Sequence, residues 1–180
     1  MDASVEKFRS GHYPILLTAE QIQAKVRELG AQISTDYAGR CPVFIGVLNG
    51  CYIFIADLMR HISIDCEVDF IKISSYGASM KSSGAVRVRK DIDCHIEDRE
   101  VLVVEDIIDS GLSVQYLQRR LAELKPKSLK FVSLLVKEGS AQVPYHCDYV
   151  GFRIPNRFVV GYGLDYAQQF RNLPAVYVMD

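Results

Sequence analysis

The sequence lacks a long apolar run, a Cys-x-x-Cys pair, a marked charge of either sign and the common glycine-rich phosphate motifs. Each absence removes a class of protein. The apolar stretches fall far short of the ~20 residues that cross a membrane, so no membrane partner is expected. The N-terminal MDASVEKFRS has no apolar segment of the secretory kind, and a cytoplasmic location is expected. The five cysteines (41, 51, 66, 94 and 147) are odd in number and scattered, which suits reduced thiols better than a disulfide frame. Cys94-His95 and His146-Cys147 are adjacent pairs without zinc-ligand spacing. A net charge of −1 argues against a broad basic face, so nucleic acid is not an expected partner. There is no G-x-x-x-x-G-K-[ST] and no G-x-G-x-x-G after a strand, and the GYG at 161–163 is too short to count. No repeat, low-complexity block or linker divides the 180 residues, which reads as one domain.

What is present has an ordinary globular balance, 49% apolar and 24% charged, patterned as alternating strands and helices. Thr18 with Gln21 forms a capping-box signature, and Ile22, Val26, Leu29 and Ile33 follow at helical spacing. VFIGVL (43–48) predicts a buried strand and CYIFIADLMRHI (51–62) a helix starting almost at once. CEVDFIKISS (66–75) alternates as a strand, YGASMKSSGA (76–85) reads as a mobile loop, and VRVRKDI as a hairpin return. VLVVED is a second buried strand, before a helix over 112–124, and LKFVSLLV (129–136) is a third. DYVGFRI, FVVGY and AVYVM supply short late strands between Pro144, Pro155 and Pro174. This alternation predicts an α/β fold, a mainly parallel central sheet flanked by helices.

VLVVEDIIDSGLS (101–113) is the most informative stretch. It sets Glu105, Asp106 and Asp109 where a buried strand runs out, and carboxylates there are costly unless something cationic or hydrogen-bonding meets them. Ligands of open parallel sheets gather at the carboxyl ends of strands. The turn Asp109–Ser113 leads into a helix whose first N–H groups lack partners, Gly111 permits close backbone approach, and the helix dipole favours an anion. Phosphate suits that turn. The acids suit sugar hydroxyls and a magnesium ion, which one or two carboxylates hold while it also binds phosphate oxygens. A phosphorylated ribose with magnesium satisfies both halves. A solvated acidic turn is the alternative; a signalling receiver domain would spread its acids over separate strands.

The same stretch closely resembles the phosphoribosyl-pyrophosphate signature of the type I phosphoribosyltransferases. SLLVKEGS, DYVGFRIPNRFVVGYGLDY and FRNLPAVYVM are similar to the hypoxanthine–guanine branch, so the resemblance runs from about residue 43 to the C-terminus. It implies a core over about 43–140, with a small hood from about 1–20 and 141–180. The implied activity is transfer of a 5-phosphoribosyl group from its pyrophosphate to hypoxanthine or guanine, giving IMP or GMP. By position, Glu105 and Asp106 would hold the ribose hydroxyls and, with Asp165, magnesium. Asp109 would be the general base near the purine N7. Asp109, Ser110, Gly111, Leu112 and Ser113 would wrap the 5′-phosphate, the two serines standing where threonines are common. Leu48, Asn49 and Gly50 would form the pyrophosphate loop with a cis peptide between Leu48 and Asn49; many relatives carry a basic residue at the place of Asn49. Arg171 would bind pyrophosphate.

On the purine side the resemblance implies that Lys137 bonds the 6-oxo group, Phe158 stacks on the ring, Val159 meets its edge, Asp165 lies near the 2-position and Ile107 adds to the wall. Ser75 and Tyr76 would belong to a lid that excludes water. Taken singly, Lys137 and Arg171 also read as surface cations, Phe158 as core and Asp165 as a turn acid. The resemblance further implies a homodimer or homotetramer. Two other functions fit the same fold: an RNA-binding regulator that senses nucleotides, and a transferase preferring xanthine.

Overall fold

Thr18 starts the first helix. Its hydroxyl accepts from the Gln21 N–H at 3.3 Å while Gln21 Oε1 accepts from the Thr18 N–H at 2.9 Å, a closed capping box. In the computed structural model, which describes residues 13–75 and 86–179, this helix, α1, spans Ala19–Asp36. It buries Ile22, Val26, Leu29 and Ile33 along one stripe. Each such side chain contributes ~1.5–3 kcal/mol on burial.

The next elements are strand β2 (Val43–Leu48), helix α2 (Tyr52–Met59) and strands β3 (Glu67–Ser75), β4 (Val86–Lys90) and β5 (Glu100–Ile108). Helix α3 (Leu112–Ala122) and strands β6 (Ser128–Lys137) and β7 (Tyr149–Ile154) follow. Six strands form one sheet in the order β4-β3-β2-β5-β6-β7. All its pairs are parallel except β3 with β4, the predicted hairpin return. A second sheet holds three strands, β1 (Ile15–Leu17) beside β9 (Val176–Val178) beside β8 (Val159–Val160), all antiparallel.

The large sheet is apolar on both faces because helices cover both, as parallel sheets require. Along β5, Leu102 and Val104 face a core shared with α1, α2 and the small sheet, whose Val159, Val176 and Val178 join it. Val101 and Val103 face Val114, Leu117 and Leu121 of α3. Adjacent residues of a strand point oppositely, so one strand feeds two cores.

Three boundaries differ from the sequence expectation. Residues 149–154, counted above with the C-terminal hood, instead supply β7, which closes the central sheet on β6; parallel pairing from Val132–Tyr149 to Lys137–Ile154 holds them there. The helix expected over 51–62 is regular only to Met59, beyond which single turn bonds Leu58–His61 and Met59–Ile62 continue. Strand β5 runs on to Ile108, past the VLVVED segment. Of the expected lid, Tyr76 lies outside the described residues and Ser75 is the last residue of β3.

Candidate active site

Strands β2, β5 and β6 end side by side, and their carboxyl ends open onto a cavity of about 330 Å³. Its wall is Asn49 and Gly50 after β2, Asp106, Ile107 and Asp109 of the β5 end, Lys137 at the end of β6, and Phe158, Val159, Leu164, Asp165 and Arg171 from around the small sheet. All but Leu164 are residues singled out from the sequence. Leu48, Glu105 and residues 110–113 do not line it. Among the described residues no helix is long and apolar enough to cross a membrane.

The three acids of the 101–113 stretch meet three different partners. Glu105 and Asp106 are neighbours on a strand and leave it on opposite faces. Glu105 is buried on the α3 side, 4% exposed. Among the described residues its Oε1 has no hydrogen-bond partner. Burial, then the charge of Asp106, pushes the Glu105 carboxyl well above the usual carboxylate range, with Ser113 opposing. Asp106 turns toward the cavity and α2. Burial raises it to about 6, Asp165 adds to the rise, and backbone N–H groups and Arg171 hold it down. Asp109 borders the cavity beside Lys137: its Oδ2 accepts from Lys137 Nζ at 2.7 Å, and the Lys137 side chain is only 10% exposed.

The loop after β2 is fitted to Asp106. The Leu48–Asn49 peptide is cis. A Cβ on Gly50 would stand 1.6 Å from Asp106 Oδ2, so only glycine lets the carboxylate approach this backbone. Beyond Asp109, Gly111 takes a left-handed φ of 81° and is the N-cap of α3, with no side chain capping the helix. Apart from the Leu112 N–H, the first turn of α3 therefore keeps uncapped N–H groups that suit an anion. The Ser110 hydroxyl accepts from the Leu112 N–H at 3.4 Å. The segment after β6 braces this turn: Ser140 Oγ donates to the Asp109 carbonyl (3.0 Å) and the Gln142 N–H to the Ser110 carbonyl (2.9 Å).

Across the cavity, Arg171 Nη2 pairs with Asp165 Oδ1 at 2.6 Å and Nη1 donates to the Gly163 carbonyl at 2.7 Å. Phe158 is 46% exposed and meets Tyr166 edge-on, centroids 5.9 Å apart. Among the described residues no group of three or more His, Cys, Asp or Glu side chains converges to hold a metal. The expected trio of Glu105, Asp106 and Asp165 is therefore not a cage, because Glu105 leaves the far face of β5. Asp106 and Asp165 do border one space and repel each other. Two hard carboxylates facing a ligand cavity are a donor set that fits magnesium, which keeps its remaining positions for water and substrate phosphate. Leu164 was missed since an apolar residue after GYG carries no chemical signal.

A family model described as phosphoribosyl transferase domain matches residues 12–167. The sequence is 48% identical over 165 residues to the hypoxanthine-guanine phosphoribosyltransferase of Bacillus subtilis, covering 92% of each chain. It is 46% identical over 172 residues to that of Mycobacterium tuberculosis, covering 92% of this chain and 85% of the other. A crystal structure of a Bacillus anthracis hypoxanthine-guanine phosphoribosyltransferase with a HEPES molecule in the active site aligns with a TM-score of 0.88 at 47% identity, over 93% of this chain and 98% of that one.

Proposed function

The chain belongs to the phosphoribosyltransferase family, and from that premise we propose how its own residues carry the reaction. The activity is purine salvage: hypoxanthine or guanine reacts with 5-phosphoribosyl 1-pyrophosphate to give IMP or GMP and pyrophosphate. The observation that carries this reading is the convergence of Asp106, Asp109, Lys137 and Arg171 on one cavity at the strand ends. The hypoxanthine-guanine relatives favour it over an RNA-binding regulator.

The sugar's 5′-phosphate sits on the turn 109–113, held by the N–H groups at the uncapped start of α3. Asp106 accepts from ribose hydroxyls, while Glu105, turned away from the cavity, lies buried on the α3 side. The pyrophosphate lies against the loop 48–50 and Arg171, whose planar fork of donors matches phosphate oxygens. Lys137 donates to the purine 6-oxo group, Phe158 covers one ring face, and Val159 and Ile107 wall the edge. Loss of pyrophosphate leaves positive charge on the ribose C1 and O4. As N9 attacks, Asp109 takes the N7 proton, a general-base role worth typically ~10²–10⁴-fold. Asp106 and Asp165 are the residues that would hold magnesium. When bound, the ion supplies Lewis-acid neutralisation of the departing oxygens.

Incubating the purified chain with phosphoribosyl pyrophosphate, magnesium and each purine base separately tests the reading. IMP and GMP are expected and AMP is not; neither IMP nor GMP forming would refute it. Faster XMP formation would move the preference to xanthine, and salt-sensitive RNA retention without IMP synthesis would favour a regulator. We expect the enzyme to be a cytoplasmic homodimer or homotetramer, which light scattering and cell fractionation check.

A further inference from the structure

Three successive residues of the GYG turn adopt left-handed backbone: Gly161 (φ 99°), Tyr162 (51°) and Gly163 (99°). Glycines accept this freely, whereas a tyrosine holds it only where its surroundings compel it. Tyr162 is 3% exposed and its hydroxyl donates to Asp57 Oδ2 at 2.7 Å. The same oxygen accepts from Gln23 Nε2 of α1 at 2.8 Å, and Arg60 Nη1 donates to Asp57 Oδ1 at 3.0 Å. Burial and the Asp57 carboxylate both raise the Tyr162 pKa, so the hydroxyl stays a donor.

The other side of this turn touches the pyrophosphate loop. A Cβ on Gly163 would lie 2.1 Å from the Gly50 carbonyl oxygen, and Gly163 exchanges two bonds with Arg171: its N–H to the Arg171 carbonyl (2.9 Å) and its own carbonyl from Nη1 (2.7 Å). These contacts close a ring. The loop 48–50 leads into α2, α2 carries Asp57, Asp57 holds Tyr162, and the next residue rests on Gly50. Nothing in phosphoribosyl transfer itself requires a buried tyrosine–aspartate bond at that place.

We propose that Tyr162, through its hydrogen bond to Asp57, is a positioning residue that fixes Gly50 and Arg171 for the pyrophosphate end of the substrate. The inference rests on the reading that this cavity binds phosphoribosyl pyrophosphate. Tyr162 acts through its neighbours and touches no reacting atom. The purine wall hangs on Lys137 and Phe158, outside the ring.

Tyr162→Phe keeps the ring and removes the bond. Losing a hydrogen bond to a charged acceptor should raise KM for phosphoribosyl pyrophosphate about tenfold, with kcat and the hypoxanthine KM within about twofold of wild type. Asp57→Ala should do the same, and Asp57→Asn, which keeps an acceptor, should return KM close to wild type. Should Tyr162→Phe fail to fold, the part-exposed Asp57 variants carry the comparison. An unchanged KM for phosphoribosyl pyrophosphate, both KM values rising together as in general loosening, or Asp57→Asn as impaired as Asp57→Ala, each overturns the inference. A wild-type protein that forms no nucleotide overturns the site reading itself, and this inference with it.

Discussion

Replacing Asp106 by Asn should make the empty protein more stable and the enzyme much poorer. Burial lifts this carboxyl from 3.8 to about 6, so between those values the folded chain holds a proton that the unfolded chain has released. Native stability therefore falls as pH rises through that window, and the loss is complete above it. A gap of about two pH units at 1.36 kcal/mol each gives about 3 kcal/mol. The carboxylate borders an open cavity, where water screens part of this, and ~1–2 kcal/mol is the expected effect. Asn keeps the size and an acceptor for the nearby backbone N–H groups. Urea unfolding of both proteins at pH 4, 6 and 8 measures it: the variant gains at pH 8, and the gain fades to nothing by pH 4. With phosphoribosyl pyrophosphate and magnesium the order should reverse, because ligand at 100 times its Kd stabilises the wild type by about 2.7 kcal/mol and binds the variant weakly. Equal stability at pH 8, or a gain that persists unchanged to pH 4, would refute the argument.

Other substitutions probe the remaining parts of the site. Asp109→Asn should lower kcat by about 10²-fold or more while KM for phosphoribosyl pyrophosphate moves little; steady-state kinetics with unchanged turnover would remove the base role. Lys137→Ala should raise the hypoxanthine KM by about 10–100-fold, the value of a charged hydrogen bond, with less effect on the sugar substrate. Gly50→Ala must displace the Asp106 carboxylate or the loop, and a misplacement near 1 Å costs about 10²-fold in kcat/KM; full activity would mean the loop is free to move.

The central strands were legible because a parallel sheet covered on both faces leaves uninterrupted apolar runs, as VFIGVL and LKFVSLLV do. The start of α1 was legible because a capping box is a local device, complete within Thr18–Gln21. DYVGFRI was read as a late strand and counted with the hood, since its pattern names a strand and says nothing of its neighbour; pairing with β6 is a tertiary choice. The acids of 101–113 were found as a group, yet their division was not. The alternation that sends Glu105 to α3 and Asp106 to the cavity gains its meaning only once β5 is set between its two cores. The Asp109–Lys137 pair joins residues 28 apart and the Tyr162–Asp57 bond residues 105 apart. Neither separation has a local signature.

The pairing of Asp109 with Lys137 also bears on which molecules can use the cavity. In the vacant cavity the carboxylate and the ammonium satisfy each other, 2.7 Å apart. On the proposed reading, a guest that parts them must offer the ammonium an oxygen and the carboxylate a proton at once. A 6-oxopurine carries both along one edge, its O6 beside its N7. On the proposed reading, adenine would present an amino group to the ammonium, donor against donor, and would leave the pair closed, so that discrimination would begin before any bond to the sugar is broken.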